Sequence, residues 1–378
     1  MPQATLFDAT EHEAIAFDTI GFEIGWDHAH HRLVPPVAHL HAGSPVRQGW
    51  QAGRALFGTR TLRVTRHVRK WLQLRLNAWV RGRAFEGLAV TPHFLAQIDV
   101  AECPVTREPL AHATGTPSDA SVDRVNNEAG YAAGNLAVMS VRANAAKADH
   151  AWDHALAVVR ELEAQGRTEL DGLDAAAWSR LAVLMSFVTP LAHAQVGCLP
   201  LLVLPPNRLR LLNPAQALQT LLTLQFTRPG AARRVAELAG VVPPAARDAF
   251  QVFMHTLLAR RLAAGPAAEG PALRRAMEDA WLHPLVNRRW QRLALQLSEA
   301  ECERLVQYAG RRGLAADGWR WLPRDAATEG WALESRGYAC HEAPGAEGSA
   351  RRASARPPLA RRASPAIGAA QGVSCSLS

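Results

Sequence analysis

The sequence predicts a mainly α-helical protein with one small strand–loop–strand–helix (ββα) element, which makes the class α+β overall. Apolar residues recur at helical spacing over much of the chain after residue 61. One stretch, residues 121–147, instead has the pattern of two short strands and a helix. The chain has 378 residues, of which 48% are hydrophobic and 20% charged, as is typical of globular proteins. This length suits two or three folded units.

Cysteine usage and hydropathy exclude several classes of protein. The five cysteines are scattered and form no CxxC pair, which excludes a disulfide scaffold and a four-cysteine zinc module. No apolar run approaches the roughly 20 residues that a membrane helix needs. The first 14 residues carry three acids and no apolar run, unlike a secretory signal. We therefore expect a cytoplasmic protein with no membrane partner. The net charge of +8 permits a nucleic-acid partner.

The composition divides the chain into five segments. We expect an irregular N-terminal segment, a basic helical segment, the ββα unit, a helical region that ends in a small aromatic lobe, and a disordered tail. Their bounds are 1–60, 61–100, 101–150, 151–340 and 341–378. Within the first segment, Ile20, Phe22, Ile24 and Trp26 alternate with Gly and Glu, which indicates a strand. The tail consists mostly of Ala, Arg, Ser, Pro and Gly, a composition that cannot form a packed core.

The basic segment predicts a helix over residues 61–80 with one apolar face. Nine basic residues and no acid lie between Arg54 and Arg83. Two interpretations stay open: the charges contact phosphates, or they form a solvated face over the apolar stripe. Trp71 and Trp79 lie on that stripe and are predicted to be core residues. The predicted nucleic-acid contacts are Arg63, Arg66, Lys70 and Arg75, with Arg142 and Lys147 from the ββα unit.

The ββα unit contains the candidate functional residues. Its first strand carries Asp123, and its second strand, residues 136–140, ends in Ser140, a suitable helix cap. The absence of Gly and Pro from 141 to 165 predicts one long helix, with Asn144 in its first turn. Carboxylate and amide oxygens are hard ligands, so Asp123 and Asn144 suit one Mg²⁺ or Mn²⁺ ion. Asn135, at the end of the loop, can brace loop backbone groups through its amide.

These motifs together resemble the HNH endonuclease family. The matching residues are 103–110 (CPVTREPL), 121–125 (SVDRV), Gly130-Tyr131, Gly134-Asn135-Leu136 and Asn144-Ala145-Ala146-Lys147, and they cover about 45 of the 378 residues. The resemblance is to the phage and prophage branch whose first strand has Asp-Arg. It implies metal-dependent hydrolysis of DNA phosphodiester bonds. In that reaction Asp123 and Asn144 hold the metal, Asn135 braces the loop, and Arg124, Arg142 and Lys147 steady the scissile phosphate.

The chain departs from the family pattern at the general base. HNH enzymes place a His directly after the strand Asp, and here that residue is Arg124, which stays protonated. Three explanations stay open. A distant His, such as His112 or one from residues 28–41, supplies the base; the metal alone activates water; or the unit has lost catalysis and kept binding.

Other functions also remain open from the sequence. His28, His30, His31, His39 and His41 could suggest a metal cluster, but they lack the spacing of a zinc finger and are more typical of a solvated loop. The rivals to an endonuclease are a catalytically inactive nucleic-acid-binding protein that retains the ββα unit, and a helical interaction protein that works through residues 150–340. The sequence leaves the oligomeric state open.

Overall fold

A computed structural model describes the backbone of residues 4–315 and the side chains from residue 17 onwards. The described chain is mostly helical, with fourteen α-helices and two small antiparallel strand pairs, as the predicted fold class requires. It forms two compact units. Unit 1 contains the described residues up to Ala96 with Glu128–Ala132, and unit 2 contains Gln97–Asn127 and the described residues from Ala133 onwards. The predicted aromatic lobe and disordered tail lie outside the described residues.

Unit 1 is built on three helices, α1 (Ala4–His30), α2 (Pro45–Phe57) and α3 (Arg66–Val80). A short helix, α4 (Pro92–Gln97), follows. The prediction of an irregular segment over residues 1–60 with a strand near Phe22 is therefore wrong. The glycines that suggested a strand recur at a spacing of four, which places them on one face of a helix.

The glycines of α1 and α2 allow the two helix backbones to touch. A Cβ on Gly25 would lie 1.9 Å from the carbonyl oxygen of Val46, and one on Gly49 would lie 1.8 Å from that of Phe22. Gly21 and Gly53 extend the same contact, where a Cβ would meet Pro45 and Ala29 at 2.7 and 2.8 Å. Small side chains are thus required along this whole helix pair, because no larger group fits between the backbones.

Helix α3 forms as the basic segment predicts, although it begins at Arg66. Thr65 caps it by accepting a hydrogen bond from the amide of Val68. Trp79 packs with Ile24, Val46 and Leu76 in the core of unit 1, and its indole N–H donates to the Phe17 carbonyl. The Trp71 indole donates to the Val90 carbonyl. Trp79 is a core residue, as predicted, whereas Trp71 is partly exposed.

The ββα unit lies in unit 2. Strands β1 (Ala120–Arg124) and β2 (Leu136–Ser140) pair antiparallel with Asp123 opposite Ala137, and α5 (Val141–Lys147) follows directly. The Ser140 hydroxyl caps α5 by accepting from the amide of Ala143, as predicted. The prediction of a single long helix over 141–165 is wrong. The chain leaves α5 at Ala148, whose φ is +45°, and α6 (Trp152–Gln165) begins four residues later.

The remainder of unit 2 is helical, as predicted for residues beyond 151. A two-residue hairpin with positive φ at Asp171 and Gly172 joins α6 to α7. The buried rings of Trp178, Phe253, Trp281 and Trp290 are among the largest core side chains. The elements after α6 are β3 (Glu169–Leu170), β4 (Leu173–Asp174), α7 (Ala175–Phe187), α8 (His193–Cys198), α9 (Pro214–Leu224), α10 (Ala231–Ala239), α11 (Arg247–Ala263), α12 (Gly270–Asp279), α13 (Pro284–Ala294) and α14 (Glu299–Arg311).

An ion-pair network attaches the loop before β1 to helix α12. Arg107, with a φ of +61°, pairs with Asp279 at 2.6 Å and with Glu278 at 3.3 Å. Arg275 of α12 pairs in turn with Glu102. Glu278 is buried and also accepts a hydrogen bond from the Leu204 amide. The ββα unit is therefore held against the helical region rather than standing as a separate module.

Within the described residues, no helix combines the length and apolar character that crossing a bilayer requires.

The contact between α1 and α2 predicts a strong effect of a single methyl group. We expect Gly49→Ala to lower the free energy of unfolding by about 1–3 kcal/mol or more, because the new Cβ overlaps the α1 backbone. Gly43→Ala is the matched control, since a Cβ there meets nothing within 4 Å. Chemical denaturation of both variants measures the difference. Equal stabilities would contradict the close approach of the two helices.

Candidate functional site

The central contact of the ββα unit is a buried ion pair between Asp123 and Lys147. Asp123 lies in β1 and Lys147 is the last residue of α5, and the Lys147 Nζ is 2.9 Å from the Asp123 Oδ2. The Lys147 side chain has no exposed surface, and that of Asp123 is 15% exposed. The ammonium therefore neutralises the carboxylate in a site almost closed to water.

The Lys147 ammonium has a second oxygen partner in the loop after β1. It donates to the Asn127 Oδ1 at 3.0 Å, and the Asn127 amide nitrogen donates to the carbonyl of Ala148 at the end of α5. Sequence reasoning missed Asn127, because an Asn in a turn after a strand is common and carries no distinguishing signal. Asp123, Asn127 and Lys147 thus tie the strand, the loop and the helix together.

Burial opposes the charged form of both members of the pair. It raises the pKa of Asp123, with the charges of Lys147 and Arg124 acting in the opposite direction. It lowers the pKa of Lys147, with the charge of Asp123 acting in the opposite direction. Each charge is tolerated because the other is present, so removing either one alone leaves an uncompensated buried charge.

Asn135 makes both hydrogen bonds expected of a loop brace. Its Oδ1 accepts from the Asn126 amide at 2.8 Å, and its Nδ2 donates to the Asn126 carbonyl at 2.9 Å. Gly134, just before it, has a φ of +100° and lies against the side chain of Arg210. The loop is thereby fixed where it enters β2.

Asn144 lies on the same face of the unit as Asp123 but has a different partner. Its Nδ2 donates to the Ser121 Oγ at 2.9 Å. Ser121 and Asp123 are two positions apart in β1 and so face the same side of the strand. Asn144 and Lys147 are one helical turn apart in α5. Each therefore contacts one of these two strand residues, and it is Lys147 that reaches the carboxylate.

Arg124 follows Asp123 in β1, so strand alternation directs its side chain to the other face. Its Nη1 donates to the carbonyl of Asn127 at 3.0 Å. This contact holds the loop, and the charge of Arg124 also lowers the pKa of both Asp123 and Lys147. The predicted role of Arg124 in steadying a scissile phosphate stays a prediction.

The residues around Asp123 do not fit the predicted Mg²⁺ or Mn²⁺ ion while Lys147 is in place, because the ammonium already occupies the carboxylate. Among the described residues, no group of three or more His, Cys, Asp or Glu side chains has the arrangement needed to hold a metal ion. The five histidines of residues 28–41 likewise form no such group. His28 is buried in α1, where its Nδ1 bonds to the Ile24 carbonyl, and His30 stacks on Phe57.

Only part of the predicted basic surface is exposed. Arg63 and Arg66 are exposed, and Lys70 is partly exposed. Arg75 is only 11% exposed and pairs with both Asp27 and Glu23 of α1. The prediction of Arg75 as an accessible phosphate contact is therefore wrong.

The two predicted contacts from the ββα unit are also engaged within the protein. Arg142 pairs with Glu108, and its side chain is 34% exposed. Lys147 is fully buried, so the prediction that it forms an accessible phosphate contact is wrong. Cys103 is a buried thiol whose sulfur accepts hydrogen bonds from the amides of Thr106 and Ser140. It contributes to packing beside the unit.

Comparison with known proteins gave no relative. No family model matches the chain, and neither a curated protein nor a solved structure matches it significantly.

The buried pair predicts a non-additive double-mutant cycle. We expect Lys147→Met to lower the free energy of unfolding by about 3–5 kcal/mol, because it leaves Asp123 buried without a counter-charge. Asp123→Leu should lower the free energy of unfolding by a similar amount, because it leaves the Lys147 ammonium buried without a counter-charge. The double variant should be more stable than either single one, since it removes both charges together.

Urea denaturation of all four proteins measures this coupling. Arg142→Met with Glu108→Leu is the control cycle on a more exposed pair in the same unit, for which the coupling should be within about 1 kcal/mol. Additive effects at Asp123 and Lys147 would contradict the assignment of a mutually dependent buried pair.

Proposed function

We propose that this protein binds nucleic acid, and DNA in particular. We also propose that its ββα unit is an HNH-like scaffold without catalytic function. The proposal that the unit has no catalytic function rests on one observation: the ammonium of Lys147 lies 2.9 Å from Asp123. The resemblance assigns Asp123 to a divalent cation, and here a side chain of the protein supplies the positive charge instead. Asn127, Asn135 and Asn144 all bond within the unit.

The charge of unit 1 supports the binding part of the proposal. Residues 17–96 contain eleven Lys and Arg against four Asp and Glu. Two of those acids, Glu23 and Asp27, are already paired with Arg75. Exposed arginines remain before, within and after α3, and they include Arg54, Arg60, Arg63, Arg69, Arg81 and Arg83. Such a concentration of accessible guanidinium groups attracts a phosphate backbone by releasing its counterions.

This proposal predicts a steep salt dependence of DNA binding. The logarithm of the binding constant for a labelled duplex should fall linearly with the logarithm of the salt concentration, with a slope of about −0.9 for each phosphate contacted. Arg63→Gln and Arg66→Gln should each reduce the magnitude of that slope by about 1. Arg233→Gln, an exposed arginine of α10, is the control and should leave it unchanged. Absence of binding at low salt would favour a helical interaction protein.

A metal-dependent endonuclease is the second candidate. The order of strand, loop, strand and helix supports it, as does the position of Asp123 and Asn144 on one face of the unit. This function requires Lys147 to leave the carboxylate so that Mg²⁺ or Mn²⁺ can approach. It also requires a base in place of Arg124 or a metal that activates water without one.

Plasmid nicking separates the two candidates. We expect no nicking by the wild type or by Arg124→His with Mg²⁺ or Mn²⁺, because Asp123 stays paired with Lys147 in both. Nicking by the wild type that is lost in Asp123→Asn and in chelator would replace the binding proposal with the nuclease. Nicking that survives Asp123→Asn identifies a contaminating activity, which repurification of the same variant should remove.

A further inference from the structure

Four aromatic rings form a continuous row on α1 and α2 of unit 1. Phe22, Trp26 and His30 recur every four residues on α1, and Phe57 ends α2. The Phe22 and Trp26 ring centres are 6.1 Å apart with the rings stacked, and Trp26 meets Phe57 edge-on at 5.0 Å. The His30 ring lies flat on Phe57 at 4.1 Å with an angle of 10° between the planes. We call these four residues the ring row.

The ring row is a surface feature rather than part of the core. Phe22 is 36% exposed, and the other three side chains are partly exposed. Trp79, by contrast, is buried among Ile24, Val46 and Leu76 in the same unit. Large flat side chains that face water at regular spacing are costly to retain for packing alone. Exposed aromatic surface of this kind is where another flat group can stack.

Exposed arginines adjoin the ring row. The Arg54 guanidinium lies 4.8 Å above the ring of Trp50, which is two turns before Phe57 on α2. The Arg60 amide donates to the Phe57 carbonyl, and the Leu62 amide donates to the His30 carbonyl, which places Arg60 and the neighbouring Arg63 beside the rings. Within the described part of the chain, no acidic side chain forms an ion pair with these three arginines.

Two acidic residues of α1 beside the ring row, Glu23 and Asp27, are paired with an arginine of another helix. Glu23 and Asp27 are next to Phe22 and Trp26 in sequence, but both extend to Arg75 of α3. Phe22 and Trp26 instead lie along the contact with α2, where their backbones meet Gly49 and Gly53. The rings and the arginines therefore share one region of unit 1, and the carboxylates are engaged towards α3.

We infer that the ring row is a stacking platform for the unpaired bases of single-stranded nucleic acid, with Arg54, Arg60 and Arg63 contacting the phosphates. This inference rests on the proposed nucleic-acid binding and specifies its substrate. A single strand exposes the faces of its bases, which stack on aromatic side chains without regard to sequence. A duplex buries those faces in its own stack and offers mainly phosphates. Positive charge alone favours the duplex, whereas charge beside open rings favours the single strand.

The test compares binding of a labelled 20-nucleotide oligo(dT) with binding of a 20-base-pair duplex by fluorescence anisotropy at one salt concentration. We expect tighter binding of the single strand and quenching of tryptophan fluorescence when it binds. Phe22→Leu and Phe57→Leu keep apolar volume but remove the flat ring. Each should weaken oligo(dT) binding by about 5- to 150-fold, the range found for losing one stacked base. Duplex binding should change little.

Phe85→Leu is the matched control, because Phe85 is a partly exposed ring of unit 1 that stacks on Tyr131 outside the ring row. It should leave oligo(dT) binding unchanged. Circular dichroism shows whether Phe57→Leu perturbs folding. If it does, Phe22→Leu still tests the inference, because it changes the most exposed ring of the row. Equal binding of both DNAs, unaffected by the two row variants, would overturn the stacking platform and leave the proposed function intact. Absence of binding to either DNA at low salt would overturn both.

Discussion

The ββα unit depends on a lysine buried without any exposed surface. Lys147 can occupy that place only because Asp123 lies 2.9 Å from its ammonium and Asn127 supplies a second oxygen. Moving an ammonium out of water costs several kcal/mol unless such partners surround it. Asn144 and Asn135 complete the arrangement by bonding to Ser121 and to the Asn126 backbone. The residues whose sequence pattern predicted a metal site thus hold the strand, loop and helix together instead.

A different constraint governs unit 1. Helices α1 and α2 approach until the backbone of one fills the space where the other would carry a side chain, as at Gly25 and Gly49. Larger side chains of both helices are consequently displaced to the edges of the contact. On one side Trp79 completes the core with Ile24. On the other, Phe22, Trp26 and Phe57 remain partly open to water beside exposed arginines. The close contact thereby creates the surface on which the binding proposal rests.

The sequence was informative wherever local rules decide the structure. Apolar spacing indicated α3, and the Ser140 cap marked the start of α5. Ser298 and Glu301 form a capping box at the start of α14, which is a local pattern of the same kind. The rules failed where partners are distant in sequence. The alternation around Phe22 suggested a strand, but the same residues fit a helix once α2 covers the glycines. The expected helix over 141–165 breaks at Ala148, a residue with no breaking tendency of its own.

By itself, therefore, the sequence determined the helical class, the order of strand, loop, strand and helix, and the concentration of arginine before the ββα unit. These follow from periodicity, capping and charge, which are properties of neighbouring residues. The tertiary structure decided what the polar residues do. From the sequence, the positive charges of Lys147 and Arg75 suggest contacts with phosphate. Whether such a cation meets solvent or a carboxylate depends on which side chains the fold brings beside it. Asp123 and Lys147 are 24 positions apart, and Asp27 and Arg75 are 48 apart. Pairing over such distances is set by packing, which no local pattern encodes.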